Sequence, residues 1–195
     1  GNAAAGADVT AALCFGGNNP SPPTRSKTES WNGTNWTNVN DLGTGRFRIA
    51  GCGTNTAALA FAGEGPPKYA LTELWNGTNW TEVNDLNTAR RDGAGGNGTS
   101  TALIIAGGSG GDALTESWNG TSWTEVNDLN NGRITGSQFG TSSDAGIFVG
   151  GGPSSPSYRA YTETWNGTSW TETTDLSTGK AAMGGSGSTT SGLIF

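Results

Sequence analysis

Histidine is missing from this chain, and with it go the commonest protein metal ligand and the usual general base near neutral pH. Cysteine is nearly missing: Cys14 and Cys52 are too few for a disulfide framework, and both sit in apolar or glycine-rich runs, so buried free thiols are expected. No long apolar run exists to cross a membrane as a helix, and no stretch reads as a signal peptide, so membrane insertion is not expected. Basic residues are scarce, 10 against 16 acidic, giving a net charge of −6. With no basic stripe to meet phosphates, nucleic acid is excluded as an expected partner. There is no GxxxxGK loop and no Cys/His cluster, so no cofactor or metal is expected.

What is abundant is glycine, at 34 residues, and one phrase, Thr-Glu-x-Trp-Asn-Gly-Thr-x-Trp-Thr, written four times, from Thr28, Thr72, Thr115 and Thr162. Asn-Gly between two strand-like runs predicts a hairpin with a type I′ turn, which needs positive φ at both central residues. With Asn32-Gly33 as the turn, Trp31 is expected opposite Thr34 and Glu29 opposite Trp36. The pairs Trp31/Trp36, Trp75/Trp80, Trp118/Trp123 and Trp165/Trp170 then share one face as diagonal neighbours, and they use every tryptophan in the chain.

The first Trp of each phrase follows the last by 44, 43 and 47 residues, a period that marks propeller blades of several strands. Each unit reads as four strands. Strand A is glycine-rich, as at 49–53, and strand B is a short apolar run at 9–15, 57–61, 102–105 and 145–149. Strand C is Thr-Glu-x-Trp, and strand D runs from the second Trp to Asp-Leu, as at 80–86. Small residues in A and B with indoles in C and D suit wedges converging on an axis, where a straight solenoid would need no taper. The expected fold is therefore all-β: a kelch-like β-propeller of four-stranded antiparallel blades, about four and a half of them, over 1–42, 46–86, 90–129, 133–176 and 180–195. Gly1 aligns inside a strand A and Phe195 inside a strand B, so the 195 residues are expected to be a window from a longer repeat protein, which the mass of the intact native protein would test.

These residues resemble a known family. Kelch repeats show an apolar strand ending in Gly-Gly, then an acidic-aromatic strand, a Trp, and a basic residue opening the next blade. Here that order reads Phe15-Gly16-Gly17, Glu29-x-Trp31, Trp36 and Arg46, and again Val149-Gly150-Gly151, Glu163-x-Trp165, Trp170 and Lys180. The second unit departs with Ala62-Gly63, and a Trp stands for the usual Tyr of strand C. The Asn-Gly-Thr-x-Trp wording is also similar to repeats in tail-fibre and other virion proteins of marine bacteriophages. That resemblance implies a virion or extracellular location.

Several motifs read as structure. Asn-x-Ser/Thr triplets at Asn32, Asn35, Asn76, Asn79, Asn97, Asn119 and Asn166 are read as turn chemistry ahead of glycosylation. Glu29, Glu73, Glu116 and Glu163, with Asp41, Asp85, Asp128 and Asp175, recur in every unit, whereas a catalytic pair is needed once. The Asp side chains are expected on amides of the D-to-A turn, and the Glu or Asp on Arg46, Arg90, Arg133 and Lys180. No catalytic residue is identified. A kelch-type copper oxidase would need histidines, and Gly-Thr-Ser-Trp123 is similar to a sialidase Asp-box except that Trp118 stands at the Asp position.

The B-to-C loops, at 18–27, 64–70, 109–113 and 153–160, hold every length change, all 7 prolines, Tyr69 and Tyr158, and the basic residues Arg25, Lys27, Lys68 and Arg159. They are expected on one rim with the D-to-A links, opposite the Asn-Gly hairpins. Loops on a rigid scaffold are where recognition is placed, and Tyr and Arg are favoured contact residues. Arg25, Lys68, Tyr69, Tyr158, Arg159 and Tyr161 are the candidate ligand contacts. The expected function is a non-catalytic binding and structural module, with a host surface glycan or protein, other virion proteins, or further copies of itself as partners. The alternatives are the propeller portion of a carbohydrate-active enzyme with catalysis outside this stretch, and a kelch scaffold for protein partners.

Overall fold

The computed structural model describes residues 2–17, 25–93, 95–108, 112–153 and 157–195. Pro20, Pro22, Pro23 and Pro156, with most of the first B-to-C loop and parts of the third and fourth, lie outside the described residues.

The molecule is a β-propeller of four four-stranded antiparallel blades followed by a two-stranded sheet. Blade one is β1 (Ala3–Asp8), β2 (Ala11–Phe15), β3 (Thr28–Trp31) and β4 (Trp36–Asn38). Blade two is β5 (Ala50–Gly53), β6 (Ala58–Phe61), β7 (Thr72–Trp75) and β8 (Trp80–Val83). Blade three is β9 (Asn97–Thr99), β10 (Ala102–Ala106), β11 (Thr115–Trp118) and β12 (Trp123–Val126). Blade four is β13 (Ser137–Ser142), β14 (Ala145–Val149), β15 (Thr162–Trp165) and β16 (Trp170–Glu172), and the last sheet pairs β17 (Gly185–Gly187) with β18 (Gly192–Ile194). In every sheet neighbours in sequence are neighbours in space, so each blade is a simple meander.

The first strands of successive sheets touch one another, β1 with β5, β5 with β9, β9 with β13 and β13 with β17. Together they line a central cavity of about 350 Å³ that includes Gly6, Gly51, Gly96, Gln138 and Ser186. Small residues are needed there because the neighbouring blade leans in: a Cβ on Gly51 would lie 2.5 Å from Phe15 Cζ, and one on Gly96 would lie 2.8 Å from Phe61 Cζ. The wedge taper expected from residue size is thus made by direct contact between an inner glycine and a phenylalanine of the preceding blade.

Toward the outside the indoles fill the gaps. Trp75, Trp118, Trp123, Trp165 and Trp170 are buried, Trp31 and Trp80 are half-buried, and only Trp36, on the outer strand of blade one, is 48% exposed. Within each hairpin the two rings lie 5.3–5.5 Å apart.

The hairpin turn is centred one residue later than the type I′ expectation, so each pairing partner moves by two residues. Trp31 pairs directly with Trp36 and Glu29 with Asn38, and the other three hairpins repeat this register. The turn is centred on Gly-Thr, and only the glycine has positive φ, 91° at Gly33. The cause is the Asn32 side chain. Its Oδ1 accepts the amides of Thr34 and Asn35 at 3.0 and 2.9 Å, so asparagine closes the turn with its carboxamide and keeps its own φ negative. The cysteines are free as expected, but Cys14 is only half-buried.

Candidate functional site

The rim opposite the Asn-Gly hairpins is built by backbone bonds between the two kinds of connection. The amides of Arg46, Arg90, Arg133 and Lys180, in the D-to-A links, donate to the carbonyls of Arg25, Tyr69, Asp112 and Arg159 in the B-to-C loops. Leu42, Leu86, Leu129 and Leu176 tie the same segments together through the carbonyls of Ser26, Ala70, Ala113 and Ala160. Three of the candidate residues, Arg25, Tyr69 and Arg159, therefore occupy one equivalent position in blades one, two and four, with Asp112 at that position in blade three.

Beneath the rim the recurring charges are consumed. Arg46 pairs with Glu73 at 2.5 Å, Arg90 with Glu116 at 2.5 Å and Arg133 with Glu163 at 3.0 Å, all buried. The glutamates meet the three arginines as expected, but it is also they, and not the aspartates, that hold the D-to-A turn. The glutamates take the D-to-A turn, where Glu73 accepts from Gly43 N at 2.7 Å and Glu116 from Asn87 N at 2.8 Å. The aspartates instead hold the start of the third strand, Asp85 accepting from Thr72 N at 3.0 Å and Asp128 from Thr115 N at 2.9 Å. A buried guanidinium needs a full carboxylate, and the longer glutamate reaches both it and the turn amides.

Blade four varies this plan. Phe148 and Tyr161 lie against Arg133, with ring centroids 4.9 and 5.9 Å from its Cζ, and its nitrogens make no well-aligned hydrogen bond despite the short distance to Glu163. Burial pulls the Arg133 guanidinium below its ordinary pKa, while Glu163 pulls the other way. Tyr161, proposed from sequence as a contact residue, is half-buried and serves this packing.

The other candidates sit at the surface of the rim. Lys68, Tyr158 and Arg159 are exposed, and Arg25 and Tyr69 are half-buried. Arg159 lies over the Tyr161 ring at 5.7 Å and Arg25 over the Phe47 ring at 4.9 Å, while Tyr69 donates its hydroxyl to Gly65 O at 2.9 Å. The structure joins Arg159 to Tyr161 and leaves the rest on the loops of blades one, two and four, with no candidate on blade three. Of the 10 basic residues, the three outside this surface are the buried Arg46, Arg90 and Arg133. Arg25, Lys27, Arg48, Lys68, Arg91, Arg159 and Lys180 all belong to the rim, and among the described residues the hairpin side carries no cation.

The rim also holds a cluster that sequence reasoning missed. Arg48 bonds Asp92 at 3.1 Å and lies 3.6 Å from Glu64, and Arg91 pairs with Glu64, so four charges clasp blades two and three. Arg48, Asp92, Thr135 and Ala182 are equivalent, each two residues beyond the link cation, and each has φ between 53° and 55°. Three of them are joined around the rim, Thr135 N donating to Asp92 O and Ala182 N to Thr135 O. A non-glycine residue held left-handed in each successive blade is strain retained by the frame. The sequence carries no Gly or Asn there to signal it.

Among the described residues, no group of three or more acidic or thiol side chains converges as a metal set would. Compared with models of known protein families and with curated proteins, the chain matches none. The fold and the rim define a β-propeller with one repetitive face and one variable face.

Proposed function

We propose that this propeller is a non-catalytic binding and structural module of a virion or other extracellular assembly, of the tail-fibre or receptor-binding kind, and that its variable rim recognises a surface glycan or protein of a host. The kelch and phage-fibre resemblances of the repeat support this reading. The observation that carries it is the asymmetry between the two faces. The hairpin side repeats Asn-Gly-Thr with one geometry four times, while the opposite rim holds the loops of differing length, Tyr158, and every cation not used in the buried pairs. Aromatic rings beside guanidinium groups suit stacking on sugar rings and hydrogen bonding to their hydroxyls.

The test replaces Lys68, Tyr69, Tyr158 and Arg159 with Ala together and measures binding to a panel of bacterial cells and an array of bacterial surface glycans. Loss of binding by about tenfold or more, with the fold intact, is expected from removing several rim contacts. Unchanged binding, or loss on altering the hairpin side at Thr34, Thr78 and Thr121, would contradict the reading.

A further inference from the structure

Asn-Gly is written six times, at Asn32, Asn76, Asn97, Asn119, Asn131 and Asn166. Each is a latent site of self-modification, because a glycine without Cβ lets its amide nitrogen reach the carboxamide carbon of the residue before it. The fold holds five of them shut. At the four hairpin tips Oδ1 of Asn32, Asn76, Asn119 and Asn166 accepts two backbone amides at 2.9–3.0 Å. The tips of blades two, three and four are tied again from outside, where Asn40, Asn84 and Asn127 of the preceding blade donate to Thr78 O, Thr121 O and Thr168 O. Asn97 is buried in β9 with its carboxamide between Ser142 O and Gln138 Nε2, and Gly98 is paired with Leu103.

Asn131-Gly132 is held differently. It lies in the D-to-A link that opens blade four, where the other links read Thr44-Gly45, Thr88-Ala89 and Thr178-Gly179. Thr44 N and Thr88 N donate to Glu73 and Glu116 at 3.5 and 3.3 Å. Glu163 Oε1, their counterpart in blade four, receives no well-aligned hydrogen bond, and Asn131 N has no acceptor among the described residues. Gly132 N and Asn131 Oδ1 are likewise without partners among the described residues. The single contact of this carboxamide is from Nδ2 to Glu172 Oε1, 2.7 Å away and exposed on the outer strand.

We infer that Asn131-Gly132 is a self-modification site, where intramolecular cyclisation converts the Asn131 carboxamide into a carboxylate on the variable rim. The amide nitrogen of Gly132, its proton passing to water, bonds to Cγ of Asn131. The Cγ–Nδ2 bond breaks and Nδ2 leaves as ammonia. Water then opens the five-membered imide at one of its carbonyls and leaves aspartate or isoaspartate. The donor to Glu172 is lost, so a hydrogen bond becomes a contact between like charges, which repel. Isoaspartate also adds a backbone carbon two residues before the buried Arg133. Both changes loosen the link into blade four.

The test holds the intact protein at mildly alkaline pH and maps its peptides over time, separating the Asn, Asp and isoAsp forms. Conversion at Asn131 is expected at least about tenfold faster than at the other five sites, the factor that two hydrogen bonds of ordinary net strength supply against local opening. In denaturant the six rates should draw together. Gly132→Ala, which installs the residue found as Ala89 in the preceding link, should slow Asn131 alone. A hairpin tip that converts as fast as Asn131 in the native protein, or an Asn131 still far ahead in denaturant, overturns the inference. The consequence is read separately: Asn131→Asp should melt below Asn131→Thr, and the gap should close in the Glu172→Gln background. Equal melting temperatures with Glu172 in place would overturn the loosening of the link.

Discussion

Trp123 donates its indole N–H to Thr72 Oγ1 at 3.0 Å, and the two residues belong to neighbouring blades. One side chain thereby fills the outer gap and fixes the angle between two sheets. Thr72→Val keeps the shape and leaves a buried N–H without an acceptor, which costs about 1–3 kcal/mol. Thr72→Ser should lose far less. Chemical denaturation of the three proteins checks this, and a Val variant as stable as the parent would refute the clamp.

The Arg90–Glu116 pair is buried on both sides at 2.5 Å. Removing one partner strands a charge in the interior, so Glu116→Leu should cost about 3–5 kcal/mol, while Arg90→Met with Glu116→Leu should recover most of that loss. A double-mutant cycle on unfolding free energies measures the coupling. Additive losses would mean that the ion pair does not hold the blade.

Gly51 faces Phe15 of the preceding blade so closely that an added Cβ would lie 2.5 Å from the ring, whereas Gly95 has nothing within 4 Å. Gly51→Val should destabilise by about 1–3 kcal/mol through overpacking, and Gly95→Ala should be nearly neutral. Similar melting temperatures for the two variants would remove the argument for close radial packing.

Burial pushes the Cys52 thiol up to about 12 from its ordinary 9.0. Its folded pKa is the raised one, so the stability it contributes is complete below pH 9 and is lost as pH climbs from there toward 12. In the native protein at pH 8, Cys14 should react with a thiol reagent well before Cys52, and both should react once unfolded. Equal native rates would contradict the burial of Cys52.

Much of the architecture was legible because the repeat writes it four times. Strand β14 spans Ala145–Val149 as read from its apolar run, and the taper from glycine to tryptophan matched the radial packing. The features that escaped depend on side chains reaching beyond their own strand. Asn32 closes the turn through its carboxamide, which shifts the partner of Trp31 by two residues, from Thr34 to Trp36. Glu73 reaches back 29 or 30 residues to the turn at Gly43 and Thr44, leaving Asp85 to hold Thr72. The left-handed backbone at Arg48 and Asp92 carries ordinary side chains, so composition gives no hint of it. Asn97, one of the seven acceptor triplets, is buried with its amide on Ser142 O at 2.6 Å.

The central claim is that indoles plug the outer gaps of radially packed blades, and hydrogen exchange of the eight tryptophan indole N–H groups, followed by NMR, tests it most directly. Seven of them donate to named acceptors, from Val9 O for Trp31 to Thr115 Oγ1 for Trp170, and should exchange slowly. Trp36, exposed on the outer strand of blade one, should exchange at the rate of a free indole. Fast exchange at Trp80, Trp123 and Trp170 together would contradict the account.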